Sequence, residues 1–384
     1  MIDPVMKKLD IEKLSVLLRE HAETELNDRK IRGKEIVIHQ NGAPVYHETF
    51  GSSCADGNLL EKNRIYRLAS MTKPITATAV LQLADRGLLD IDGPASKYFP
   101  QMKELKAATV KDGKIVKLVP AKNEIRICDL LSHTSGIGCS PVFELMSSTS
   151  KLPLDEAIRE ILRQPLSFEP RTSQMYSPTD AFDVAAGIVE LVSGMSFDEY
   201  LKKNIFEPLE MPDTTFDPTA EQRRRTVALF GCTPEGECFD APMSEEFVFA
   251  DYLPRRMAAG AGLISTARDY MHFADMLCSG GTAFNGARIL SPEAVKRMSS
   301  SNIPENIDMG YERWGLGVRV IFSPKYPYRL GVGCFGWSGA YGTHFWVDPA
   351  NCLAVVMMKN GIYDGGAGNN SATALERDVS ACLI

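Results

Sequence analysis

Short alternating or apolar runs occupy both ends of this sequence, and helical periodicity fills the stretch between them. Residues 35–39 and 44–50 read as strands around Asn41-Gly42, a pair suited to a two-residue hairpin because both positions tolerate positive φ. Toward the other end, residues 314–322, 329–336, 344–348 and 353–359 repeat the pattern, parted by Pro, Gly and Asn. Strands joined by turns this short pair antiparallel. Residues 74–86, 154–163, 180–193, 197–204, 267–278 and 292–298 carry helical periodicity or composition instead. Leu9, Ile11, Leu14, Leu17 and Leu18 predict an amphipathic helix before the first strand, and residues 372–383 a returning one. These elements fit an α/β (α+β) fold: an antiparallel β-sheet built from both termini, flanked by helices, with a mostly helical inserted domain. Residues 1–75 plus 312–384 would form the sheet domain and 76–311 the insertion. A cleft between two such parts is where small molecules bind.

Composition narrows the partners. The formal net charge is −7 over 384 residues, and the densest basic run, Arg223-Arg224-Arg225, fits a solvated face. No basic field is available for a nucleic acid backbone. The first thirty residues are broken by charges every few positions, and no apolar run reaches the length of a signal-peptide core or a membrane span. The nine cysteines show neither CxxC nor Cys/His ligand spacing. They predict reduced, buried thiols and a cytoplasmic setting, with no metal or cofactor.

Two kinds of serine compete as nucleophile. Gly336-Trp337-Ser338-Gly339-Ala340 has the glycine-flanked look of a nucleophile elbow. An elbow of the α/β-hydrolase type needs a strand-turn-helix, then an acid, then a histidine. After Ser338 only His344 remains, Asp348 follows it, and a strand replaces the helix. The alternative needs no histidine, only a lysine beside the serine in S-x-x-K. That pattern occurs at Ser70–Lys73 and at Ser148–Lys151, and the latter sits in MSSTSKLP, a solvated loop. Ser70 is delivered by Ile65, Tyr66, Leu68 and Ala69 to the first turn of a predicted helix. Pro74 is tolerated there because first-turn amides have no intrahelical acceptor. Residues three apart share a face, so the amine reaches the hydroxyl. The helix N-terminus and burial both favour the neutral amine that a base requires. Taken locally, the same residues also fit an N-cap serine beside an exposed lysine.

SMTKP (70–74), LLSHTSGI (130–137), FEPRTSQMYSPTD (168–180), GAGLISTARD (260–269) and GWSGAYGTHFWVDP (336–349) follow in that order. Together they resemble the serine β-lactamase / penicillin-binding-protein-like superfamily, above all its branch of class C β-lactamases, DD-peptidases and family VIII carboxylesterases. The resemblance implies that Ser70 is the acylated nucleophile and Lys73 its base. Tyr176 would pass a proton to the leaving group and help activate water, a task that requires its own proton loss to be eased. Trp337-Ser338-Gly339 would match the family's Lys-Thr-Gly wall, with Gly339 leaving room for substrate. The amides of Ala340 and Ser70 would form the oxyanion hole. His133 reads as structural, and Asp180 as a brace for the helix after Tyr176.

Three positions depart from the family pattern. Trp337 stands where a lysine holds the substrate carboxylate, Pro178 replaces the asparagine of Y-x-N, and Arg171 replaces a usual glycine, as a displaced cation or a surface residue. Losing the lysine removes ~1.5–3 kcal/mol of charge-assisted binding from carboxylate-bearing substrates. An indole offers apolar area to an uncharged acyl group instead. The implied activity is a serine carboxylesterase forming an acyl-enzyme with a small-molecule ester or β-lactam-like substrate, with slow β-lactam hydrolysis as a side activity. A true β-lactamase, a D-amino-acid peptidase and an acyltransferase stay open. So does an acylated sensor without turnover, because Pro178 removes a side chain used in deacylation.

Overall fold

Asn41 and Gly42 take φ of 55° and 69°, closing the hairpin between β1 (Gly33–Gln40) and β2 (Ala43–Gly51). The computed structural model describes residues 6–54, 57–146, 152–232, 238–240, 257–323, 330–361 and 364–384. The Ser148–Lys151 pattern lies outside the described residues. Five more strands complete the large sheet: β3 (Glu312–Trp314), β4 (Arg319–Ile321), β5 (Phe335–Ser338), β6 (His344–Asp348) and β7 (Leu353–Met358). The spatial order is β2-β1-β7-β6-β5-β4-β3, with every pair antiparallel. β1 lies beside β7, so both ends of the chain do build one sheet.

The run at 314–322 is two strands, not one. Gly317 breaks it at φ 74°, where a Cβ would stand 2.9 Å from the Lys73 carbonyl oxygen. Only glycine lets this turn lie against the helix that carries Lys73.

Alternation along the strands sorts side chains onto two faces. Ile36, Ile38, Trp346, Leu353, Val355 and Met357 pack with residues of α1 (Ile11–Asn27) and α5 (Asn370–Ala381). Val37, Phe345, Val347, Ala354, Val356 and Met358 face the larger core. That core holds α2 (Thr72–Asp85), α3 (Asp180–Ser193) and α4 (Ala267–Cys278). α4 falls within the stretch read as an insertion, yet it packs on β1, β6 and β7. α2 is buried from Thr72 through Leu83, so its sequence mixes small and apolar residues and shows no polar stripe. Three further pairings among the described residues have no counterpart among the strands expected from sequence: a hairpin of Lys106–Lys111 with Lys114–Pro120, a ladder of Ile65–Arg67 with Ile264–Thr266, and a pairing of Phe230–Cys232 with Cys238–Asp240.

Candidate active site

The ladder from Ile65 leads straight to Ser70. Leu68 N–H donates to the Leu263 carbonyl at 2.9 Å, and Ala69 then turns at φ 46°. A left-handed alanine is strained by ~1–3 kcal/mol and persists only where its surroundings over-determine it. Here they do. Tyr270 Oη donates to the Met71 carbonyl at 2.8 Å, Leu263 N–H donates to Thr72 Oγ1 at 3.2 Å, and Thr343 Oγ1 donates to the Leu68 carbonyl at 3.0 Å. The chain therefore turns sharply just before Ser70, which stands half-buried at the entry to α2.

Lys73 is fully buried beneath it. Its Nζ lies 3.3 Å from Ser70 Oγ, 2.6 Å from the Pro178 carbonyl oxygen and 2.8 Å from that of Gly260. A neutral amine has two N–H bonds and one lone pair. The two carbonyls take the N–H bonds, and the lone pair is left for the serine hydroxyl. Burial drives the amine from 10.5 down to about 7, against the opposing pull of Asp183. Asp183 Oδ1 accepts from Ala259 N–H at 2.8 Å, and Thr76 Oγ1 donates to the Ala259 carbonyl at 2.6 Å. α2 and α3 thus fix the peptide that presents Gly260 to the amine. Any side chain at 260 would collide with the Pro178 carbonyl oxygen, since a Cβ there would stand only 2.7 Å from it. Pro178 lacks the carboxamide of the family motif, but its backbone oxygen holds the Lys73 amine.

Tyr176 Oη donates to Ser70 Oγ at 2.7 Å, and Trp337 Nε1–H donates to Tyr176 Oη at 3.2 Å. Burial pushes the phenol up to about 12, against the opposing effect of its hydrogen bonds with Ser70 and Trp337. The resting proton is on Tyr176, and the group poised to accept one near neutrality is Lys73. The Trp337 indole is 8% exposed, wedged between Trp314 at 4.4 Å and Tyr176 at 5.5 Å. It offers substrate little free area and instead holds the tyrosine.

The expected wall consists of Trp337, Ser338, Gly339 and Ala340. A Cβ at Gly339 would lie 2.2 Å from the Leu68 carbonyl oxygen. The glycine is needed for the chain's own packing. This close approach brings the turn bearing Ala340 onto the segment that carries Ser70, and Gly339 N–H closes the turn on the Thr343 carbonyl at 2.7 Å. Ser338 faces away. Its Oγ is hydrogen-bonded to His344 Nδ1 at 2.8 Å, and His344 Nε2 lies 3.2 Å from Glu376 Oε1 on α5. A serine, a histidine and an acid do line up here, with an acid that no sequence signal marks. The serine and histidine are 2% and 1% exposed, on the sheet face opposite Trp337. Arg319 Nη2 donates to the same Glu376 oxygen at 2.6 Å, completing a buried polar brace.

Arg171 is turned to the buried Asp129, 3.9 Å away. Asp180 sits buried in the first turn of α3 and accepts from Thr179 Oγ1 at 2.8 Å. Among the described residues, no group of His, Cys, Asp and Glu is arranged to hold a metal. The seven cysteines whose side chains are described are free thiols. No helix among the described residues is long and apolar enough to cross a membrane.

Known proteins resemble this chain along most of its length. A family model described as Beta-lactamase matches residues 18–377. Esterase EstB of Burkholderia gladioli is 27% identical, covering 96% of this chain and 95% of that protein. Protein Rv1367c of Mycobacterium tuberculosis is 29% identical over 78% of each chain. Among solved structures, EstCE1, described as a hydrolase with promiscuous acyltransferase activity, matches with a TM-score of 0.82 at 20% identity, over 96% of this chain and 99% of its own. The chain belongs to the Beta-lactamase family and is a serine hydrolase on that fold.

Proposed function

We propose that the protein hydrolyses uncharged carboxylic esters of small molecules through an acyl-enzyme on Ser70. One observation carries the reading: the Ser70 hydroxyl lies between the Lys73 amine and the Tyr176 phenol, and that phenol is held by an indole where a carboxylate-binding ammonium would stand. Lys359, whose stem lies where a Cβ at Gly342 would stand, does not replace that ammonium. Its amine donates to Asp364 and Ser371, both at 2.9 Å.

In acylation, Ser70 Oγ attacks the ester carbonyl carbon and its proton passes to Lys73 Nζ. The amides of Ser70 and Ala340 receive the oxyanion. Collapse breaks the carbon–oxygen bond, the departing alkoxide takes the Tyr176 proton, and the Lys73 ammonium restores it. Water then attacks the acyl-enzyme with the same groups as base and acid, releasing the carboxylic acid and free Ser70. The likeness to Esterase EstB supports an ester substrate, and the likeness to EstCE1, a hydrolase with promiscuous acyltransferase activity, supports a second outcome, capture of the acyl group by an alcohol in place of water.

Steady-state rates on p-nitrophenyl butyrate, nitrocefin and a D-alanyl-D-alanine peptide test this. The ester should have the highest kcat/KM, with Ser70→Ala inactive on all three. Faster turnover of nitrocefin or the peptide would make the protein a β-lactamase or a peptidase. Permanent acylation by the ester, seen by intact mass, would make it a sensor. Release that accelerates on adding methanol, with methyl butyrate formed, would establish acyl transfer.

A further inference from the structure

His133 reads as structural from its sequence alone, yet it grips Tyr176 from both sides along the chain. The His133 carbonyl accepts from Met175 N–H at 3.1 Å, and its Nδ1 accepts from Ser177 N–H at 3.0 Å. Its ring packs on the Tyr176 ring at 4.6 Å, and on Trp314 in a T-shaped contact at 4.3 Å. The two amides that flank the tyrosine therefore end on one residue, and the tyrosine side chain rests on that residue's ring.

The imidazole can do this in only one form. A backbone amide only donates, so Nδ1 must present its lone pair, and the ring's single proton sits on Nε2. Nε2 is buried and meets no hydrogen-bond partner among the described residues. Burial, with Lys73 nearby, holds the ring neutral, well below its ordinary 6.5. A hydrocarbon of similar volume would pack here without stranding an N–H in the core. What the imidazole adds is the acceptor at Nδ1.

We propose that His133 is a positioning residue for the reaction: its carbonyl and Nδ1 clamp the amides on either side of Tyr176, and its ring seats the phenol, so that Oη is held on Ser70 Oγ. The proposal rests on the proton-relay role given to Tyr176. The clamp is anchored in turn. Gly317 N–H donates to the Leu131 carbonyl at 2.8 Å, and Asn302 Nδ2 donates to Ser132 Oγ at 2.9 Å. His133 itself sits at φ 60°, a conformation that asparagine also adopts readily.

Four variants of the full chain test it: His133→Asn, whose Oδ1 can occupy the place of Nδ1; His133→Leu, which fills space without an acceptor; Tyr176→Phe; and the Leu/Phe double variant. Each is assayed for kcat and KM on p-nitrophenyl butyrate, alongside a thermal melt. The His133→Leu variant should lose roughly 30- to 100-fold in kcat with KM nearly unchanged, the penalty of misplacing a reacting group by about 1 Å. The His133→Asn variant should recover most of that loss. In the Tyr176→Phe background, adding His133→Leu should cost less than about 2-fold, because the hydroxyl being positioned is already gone. Equal impairment by Asn and Leu, unchanged kcat in His133→Leu, or a full additional loss in the double variant would overturn the clamp. If Tyr176→Phe alone keeps full activity, the relay role of Tyr176 fails, and the clamp with it. Should the Leu variant melt below the assay temperature, His133→Gln takes its place, since its amide oxygen reaches toward the Nε2 position and not the Nδ1 one.

Discussion

Replacing Lys73 with methionine should flatten the pH dependence of stability by an amount fixed by the amine's burial. In the folded chain the amine titrates at about 7, against 10.5 in the open. Between those values the unfolded chain binds a proton that the folded chain does not, so stability rises with pH across that window. Below about pH 7 both states are protonated and the penalty for burying the charge is felt in full. Each pH unit inside the window is worth ~1.36 kcal/mol, which gives about 2.5 kcal/mol between pH 7.5 and 9.5 once the partial protonation at each end is included. Methionine also leaves the carbonyls of Pro178 and Gly260 without their donor. That loss is the same at every pH and cancels in the comparison. Urea unfolding of both proteins at the two pH values measures the effect: the wild type should gain about 2.5 kcal/mol over the variant on going to the higher pH. A stability difference that stays constant would mean the amine keeps its ordinary affinity for protons inside the fold, and the account of Lys73 as a neutral base would fail.

Three other outcomes are expected. The kcat/KM for an ester should fall on the acid side with a midpoint near the amine's value of about 7, and Asp183→Asn should move that midpoint to lower pH, because the carboxylate favours the ammonium; an unmoved pH profile would contradict this. Trp337→Phe removes the donor to Tyr176 Oη and should lower kcat by ~3- to 10-fold, the worth of one neutral hydrogen bond. Ser70→Ala should abolish labelling by a fluorophosphonate, whereas Ser338→Ala should keep the labelling and lower the melting temperature, since it strips a partner from buried His344.

Local patterns carry the fold further than they carry the site. The hairpin at Asn41-Gly42 and the bounds of α3 are legible because their signals lie within a few residues: a turn dipeptide in one case, an apolar period ending at Gly194 in the other. The hairpin at 106–120 is hidden although Asp112-Gly113 marks its turn, because exposed lysines between the valines mask its alternation. Ser70 and Lys73 are neighbours on one turn, so their meeting can be read directly. The carbonyls of Pro178 and Gly260 cannot, since a backbone oxygen has no signature in a side-chain alphabet. Glu376 lies 32 positions beyond His344 on another element, and only the packing of α5 on the sheet unites them. Trp337 has a place in the wall that its motif reveals, but its hydrogen-bond partner depends on how the Tyr176 ring stacks.

The sheet order has a consequence for how such a molecule comes into being. β1 and β2 leave the ribosome early, yet β1 must wait with an open edge until residues 353–358 exist to zip against it. The Ser70 turn is likewise braced by Thr343 and by the close approach of Gly339. A nascent chain can therefore carry its serine and lysine through most of synthesis without being a hydrolase. Activity should switch on only once residues 339–358 have arrived, and a ribosome stalled before that point should hold a chain that an active-site phosphonate cannot label.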